Sequence, residues 1–117
     1  HEVASGLAAA NKRIGNILRK SELESASSIN EDLFEIEEER MLFAEVSEIS
    51  VDLDALCEKA DYTAALTLLA GLSANIEAFF DKVMVMDENL EIRTNRLSLL
   101  AKLKGLFDRV ANLALLG

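Results

Sequence analysis

The sequence predicts an all-α protein, a compact bundle of about five helices. Three observations carry that expectation. The 117 residues include no proline and five glycines, so the strongest helix breakers are absent or scarce. Ala, Leu and Glu, which favour helix, dominate. Apolar residues recur at three- and four-residue spacing, and no stretch shows the period-two alternation of a strand. The length suits one domain over residues 1–117, and 50% of it is hydrophobic, enough for a core without disulfide or metal. Aromatics are only 5%, so the core must be built from Leu, Ile, Val, Ala and Phe.

The first helix is expected over 2–20. Val3, Leu7, Ala10, Ile14, Ile17 and Leu18 follow one buried stripe. Lys12, Asn16 and Arg19 fall within about 60° of one another on the far side, flanked by Arg13 and Lys20. Residues 21–30 carry four serines and Asn30 and read as a loop. Asn30 or Ser28 can cap a second helix over 31–59, with Glu31 and Asp32 in its first turn. Phe34, Met41, Leu42, Val46, Ile49, Leu53 and Leu56 form its apolar side. Glu37, Glu38 and Glu39 read as a solvated face. A break near residues 50–54 is expected from Val51 and two aspartates.

Asp61 is the expected cap of a helix over 62–72, and Ser73 of another over 74–83. Gly71-Leu72-Ser73 provides the kink between them. Asp87 is the expected cap of a last helix that runs to about Leu115. Leu99, Leu100, Leu103, Leu106, Phe107, Val110 and Leu113 cover a wide arc of it, so it should be the central, most buried helix.

Several function classes find no support. There is no glycine-rich phosphate loop, no metal-ligand pairing and no Ser–His or Cys–His set. Cys57 is the sole cysteine and His1 the sole histidine. Cys57 therefore reads as a small buried hydrophobe in a reduced, cytoplasmic setting, and His1 as a fragment edge or tag remnant of a longer chain. No apolar stretch is expected to reach the roughly 18 residues needed to span a bilayer, and the N-terminus lacks a secretory layout.

Charge is uneven beneath the net −9. Residues 1–21 carry four basic groups against Glu2, and residues 93–117 five against Asp108. Residues 22–61 carry fourteen acidic groups against Arg40 and Lys59. If the first and last helices lie side by side, an acidic protein acquires a basic face.

Candidate binding residues follow from that layout. Asn11, Lys12, Arg13 and Asn16 form a modest nucleic-acid signal on the first helix. Arg93 and Asn95 lie at the edges of the apolar arc near the start of the last helix, where exposure is expected. Arg93 can fork onto phosphate, and Asn95 can offer a donor and an acceptor to a base edge. Arg96 lies inside the apolar arc and needs a partner there. It is either half of an ion pair, with Asp81 the obvious candidate, or a contact to phosphate or base at a groove mouth. Phe79-Phe80 and Met84 with Met86 read as one core member and one exposed member in each pair, a binding patch being the other reading.

Three stretches resemble the bacterial glycyl-tRNA synthetase beta subunit in its C-terminal anticodon-binding region. They are Ala8-Ala9-Ala10-Asn11-Lys12-Arg13-Ile14 with Asn16-Ile17-Leu18; Asp61-Tyr62-Thr63-Ala64-Ala65-Leu66; and Ala78-Phe79-Phe80-Asp81-Lys82-Val83-Met84-Val85-Met86 followed by Arg93-Thr94-Asn95-Arg96-Leu97. The third is the specific one. Order and spacing match over nearly the whole chain, down to Phe107-Asp108-Arg109-Val110-Ala111-Asn112-Leu113. The signature Asp-Ala-Leu-Arg of such domains reads Leu90-Glu91-Ile92-Arg93 here, and Ser73-Ala74-Asn75 stands where the family often has prolines.

The resemblance implies a helical domain that holds the anticodon arm of tRNA(Gly) and performs no chemistry. No cofactor is implied for this segment. ATP and Mg would serve the parent enzyme, whose alpha subunit activates glycine. The implied partners are that tRNA, the remainder of the beta subunit and the alpha subunit, with no membrane and no DNA. The competing reading is an acidic helical module that docks a protein and binds no RNA. A related synthetase using the same domain for another anticodon is a third.

Overall fold

The computed structural model describes residues 2–21 and 28–116. His1, residues 22–27 and Gly117, with the side chains of residues 2–5 (Val3 among them) and of Leu116, lie outside the described residues. Five α-helices form the architecture: α1 Glu2–Ser21, α2 Glu37–Glu58, α3 Tyr62–Ala70, α4 Ser73–Lys82 and α5 Leu90–Leu116. No strand occurs among the described residues.

Helix α5 is the spine. Its 27 residues span about 40 Å and set the 43 Å long axis of the molecule. It packs against α1, α2 and α3, while α2 packs against α3, α4 and α5. Leu99, Leu100 and Leu103 are sealed from solvent, and Leu106, Phe107, Val110 and Leu113 are buried below them. Each such side chain contributes about 1.5–3 kcal/mol of apolar burial. Leu7 and Ile14 of α1 meet this core, with Ala10, Ile17 and Leu18 packed at its edge.

The second helix begins later than its composition suggests. Asn30 does cap, but it caps a 3-10 turn, Glu31–Leu33, by accepting the Asp32 N–H at 3.0 Å. The chain then turns extended at Phe34 and Ile36. Burial of the Phe34 ring against Phe43, centroids 5.6 Å apart, fixes that detour. Helix α2 starts at Glu37, where the Glu39 carboxylate accepts the N–H groups of Glu35 and Ile36 at 3.3 Å each. Glu39 is therefore buried, not part of a solvated face. The break expected near 50–54 does not occur, because Ile49 and Leu53 hold that stretch on the core. Met41, expected on the apolar side, is exposed. Cys57 is half-buried at the core edge.

The end of α2 is a Schellman arrangement. The Asp61 N–H reaches the Leu56 carbonyl at 3.0 Å and the Ala60 N–H reaches Cys57 at 3.1 Å. This places Ala60 in the left-handed region, φ 55°.

Asp61 caps α3 as expected, accepting the Ala64 N–H at 3.1 Å. The α3–α4 step differs in detail: Ser73 is already helical, and the residue before it, Leu72, is fully buried and makes no side-chain cap. Contrary to expectation, residues Tyr62–Lys82 reach the length and apolar composition of a membrane span. The turn at Gly71 and Leu72 splits that stretch, and Ala65, Leu69, Leu72, Ile76 and Phe79 pack into the bundle core.

Between α4 and α5 the chain is extended from Val83. Val83 and Val85 point inward while Met84 and Met86 are 70% and 51% exposed. Phe79 is core as expected, but Phe80 is half-buried against the core where exposure was expected, and neither methionine is core. The period of two across these four residues puts both methionines on the outer side. Asn89, not Asp87, caps α5, accepting the N–H groups of Glu91 and Ile92 at 2.9 and 3.3 Å. Asp87 instead accepts the Asn89 N–H at 2.8 Å and shapes the turn before it.

Candidate nucleic-acid interface

The exposed polar side of α1 gathers Lys12, Arg13, Asn16 and Lys20 around a shallow groove of about 520 Å³, floored by Ala9 and Ile17. Burial of Leu7 and Ile14 turns the opposite side of α1 inward, which leaves these polar positions outward. Arg19 donates to the Asn16 side-chain oxygen and holds that amide. Lys12 and Lys20 form no ion pair with a described residue. The Arg13 guanidinium lies over the Phe80 ring, 4.0 Å from its centroid. Asn11 is not among the groove residues, and its Oδ1 is buried without a hydrogen-bond partner among the described residues.

Helices α1 and α5 do pack together, but the cations of α5 add little to a shared basic face. Lys104 pairs with Asp108 at 2.6 Å, and Arg109 pairs with Asp54 across to α2. That hydrogen bond to Asp54 raises the Arg109 pKa further above its ordinary value. Lys102 sits 5.9 Å from the Phe43 ring centroid. Arg93 is half-buried, with Nη1 3.5 Å from the Asp87 carbonyl oxygen. Among the described residues, the four cations of α1 stand outside any ion pair, as do Arg93 and Lys102 of α5.

Two of the expected site residues turn inward. Asn95 is 4% exposed, not at an open edge. Its Oδ1 accepts the Asn30 N–H at 2.7 Å, and its Nδ2 donates to the Asn30 carbonyl at 3.0 Å. The donor–acceptor pair suited to a base edge is spent on the backbone N–H and carbonyl of one residue, Asn30. The helical wheel missed this because the covering segment lies 65 residues away.

Arg96 is 2% exposed. Its Nη2 meets Glu39 at 2.9 Å and Glu35 at 3.4 Å, and its Nη1 meets the Met84 carbonyl at 2.7 Å and Asp87 at 3.4 Å. Asp81 is not its partner; that carboxylate is exposed, 3.8 Å from Lys82. Asp81 lies on the exposed side of the last turn of α4, and the extended chain after α4 brings the Met84 carbonyl in. Arg96 Nε and Glu39 Oε2 are buried without partners among the described residues. The ion-pair reading of Arg96 therefore holds with different partners, and the groove-mouth reading is overturned by burial.

Sequence reasoning overlooked Glu39 and Phe80 as neighbours of these arginines. Glu39 stands at the third position of α2 and reaches back to two free N–H groups, a half capping box that a helix start at Glu37 would have signalled. Among the described residues no group of three His, Cys, Asp or Glu is arranged to hold a metal.

Residues 7–117 match the model of the DALR anticodon binding domain. The chain is 48% identical over 111 residues to a protein named glycine–tRNA ligase beta subunit from Nitrosomonas eutropha, covering 95% of this chain and 16% of that protein. Proteins of the same name from Acinetobacter baumannii and Coxiella burnetii are 47% and 46% identical, each across 97% of this chain. The chain spans 16% of the length of each of these relatives. With its all-helical fold and the match over residues 7–117, the chain belongs to the DALR anticodon binding domain family.

Proposed function

We propose that this domain grips the anticodon arm of tRNA(Gly) within a cytoplasmic glycine–tRNA ligase, whose ATP- and Mg-dependent chemistry takes place elsewhere in the enzyme. The observation that carries the reading is the cationic groove on α1, lined by Lys12, Arg13, Asn16 and Lys20, on a chain of net charge −9 that belongs to an anticodon-binding family. Phosphates position an RNA arm and a few side chains specify it. Lys12 and Lys20 would supply the first role and Arg13 and Asn16 the second, with Arg93 at the start of α5, outside the groove lining, as a further contact. Asn11 stands beside them on the same helix. Asn95 and Arg96 serve indirectly, by fixing the start of α5 on which Arg93 sits.

The acidic remainder of the surface confines RNA to the α1 side. Met84, Met86 and Leu90 are exposed among Asp81, Glu88 and Glu91, a surroundings that repels phosphate. This supports a contact there with the remainder of the beta subunit, or with the alpha subunit.

The test is fluorescence-anisotropy binding of a tRNA(Gly) anticodon stem-loop at low salt, with a stem-loop altered in its anticodon as control. Preference for the native loop, lost in Lys12→Glu or Arg13→Glu, is the expected result. Equal binding to both loops, or binding indifferent to those charge reversals, refutes the reading.

A further inference from the structure

A second groove adjoins the first on the other side of Arg13. It runs between α1 and α4 and encloses about 830 Å³, within the about 300–1,000 Å³ typical of small-ligand sites. Its floor is made of small residues, Gly6, Ala9 and Ala10 of α1 with Ala74 and Ala78 of α4. Its polar lining is Arg13, Glu77 and Asp81. Arg13 and Ala9 line both grooves.

The chemistry of this groove is that of an unpaired base. The Phe80 ring lies under the Arg13 guanidinium at face-contact distance, 4.0 Å, and meets Phe79 edge-on at an interplanar angle of 80°. Phe79 is fully buried, so the ring pair is anchored in the core. Phe80 therefore holds the Arg13 guanidinium from one side, while Arg13 stays exposed and lines the groove. Unstacked RNA bases are received on such guanidinium planes. The groove's two carboxylates repel phosphate and accept hydrogen bonds from exocyclic amino groups, as Glu and Asp do from cytosine N4. Glu77 is exposed and engages no described residue, and Asp81 only the exposed Lys82. The phosphates that flank such a base fall toward Lys12 and Lys20, across Arg13.

We infer that the α1–α4 groove takes one unpaired, amino-bearing base of the RNA, stacked on Arg13, with Phe80 as the positioning residue beneath it and Glu77 and Asp81 selecting cytosine over uracil. This rests on the anticodon-arm reading and names the base-selecting side chains of that site. The C-to-U comparison is the sharpest probe, because it exchanges a donor for an acceptor with almost no change of shape.

The experiment measures anisotropy binding of anticodon stem-loops at low salt, in a set where each unpaired cytosine is replaced in turn by uracil or by an abasic site. Four variants are compared with the native chain. Phe80→Leu removes the support of Arg13, and Phe80→Tyr restores it. Gly6→Leu blocks the groove without touching Arg13 or Phe80; a Cβ at Gly6 meets nothing within 4 Å, and replacing a helical glycine favours the fold. Glu77→Ala with Asp81→Ala removes the acceptors at exposed positions.

For one loop position, the native chain is expected to prefer C over U by about tenfold. Phe80→Leu and Gly6→Leu are expected to lose about tenfold in affinity for that loop, with the abasic loop unaffected and Phe80→Tyr behaving as native. The double alanine variant is expected to lose the C/U preference alone. If the native chain binds the stem-loop but all variants keep its preference and affinity, the groove assignment is wrong and the anticodon-arm reading stands. If the native chain binds no loop at all, both fall together.

Discussion

Replacing Glu39 by alanine is expected to destabilise the domain by about 4 kcal/mol. Glu39 is fully buried and stands 2.9 Å from an arginine that is 2% exposed. Removing one partner of a buried pair costs about 3–5 kcal/mol, chiefly from the charge left behind. Arg96 retains Glu35 and Asp87 at 3.4 Å, both more exposed than Glu39, which puts the loss near about 3 kcal/mol. Glu39 also closes the start of α2 on the Glu35 and Ile36 N–H groups, adding about 1 kcal/mol. Urea unfolding followed by circular dichroism reads this directly. With a slope of about 2 kcal/mol/M the midpoint falls by about 2 M. Glu39→Leu with Arg96→Met removes both charges, and that double variant is expected to lie within about 1 kcal/mol of the native chain, above Glu39→Ala. A midpoint for Glu39→Ala within about 0.3 M of native, at unchanged slope, would refute the assignment of a desolvated pair.

Three further outcomes are expected. Ala60→Gly relieves a left-handed backbone at φ 55°; the relief of about 1–2 kcal/mol exceeds the entropy cost of glycine, about 0.5–1 kcal/mol, and the urea midpoint should rise. Asn95→Ala strips the side-chain partner from the Asn30 N–H and the Asn30 carbonyl and should cost about 1–3 kcal/mol in the same assay. Stem-loop affinity should fall about sevenfold between 50 and 200 mM salt, since Lys12 and Lys20 meet phosphate at a slope of about −0.7 each; a titration of Lys12→Ala should be shallower by about 0.7.

The core was legible in the sequence because its signal is local. The stripe through Leu7 and Ile14, the arc from Leu99 to Leu113 and the Asp61 cap all follow from spacings of a few residues. What escaped was decided by distant chain. Glu39 reads as one of three solvated glutamates until Arg96, 57 positions away, is placed against it. Asn95 reads as exposed until residue 30 folds over it. Asp87 reads as a cap, but Asn89 two residues later offers the same oxygen in better register with the Glu91 and Ile92 N–H groups. In the candidate site, Lys12, Arg13 and Asn16 lie together as their helical spacing dictates. The ring under Arg13 comes from α4, and no pattern within α1 points to it.

The links that close on the first turns of α5 have a kinetic consequence. Asn95 with Asn30, Arg96 with Glu39 and Arg96 with Glu35 join residues 65, 57 and 61 positions apart. Contacts of such separation pay loop-closure entropy before they contribute stability. The neighbouring helices α2, α3 and α4, linked by short turns, can pair first. The Arg96 cluster is then expected to form after the rate-limiting step, and interactions absent from the transition state govern how fast a protein unfolds. Arg96 and Glu39 would thus act as a latch on the lifetime of the folded domain: Glu39→Ala is expected to speed unfolding in stopped-flow measurements and leave the folding rate nearly untouched.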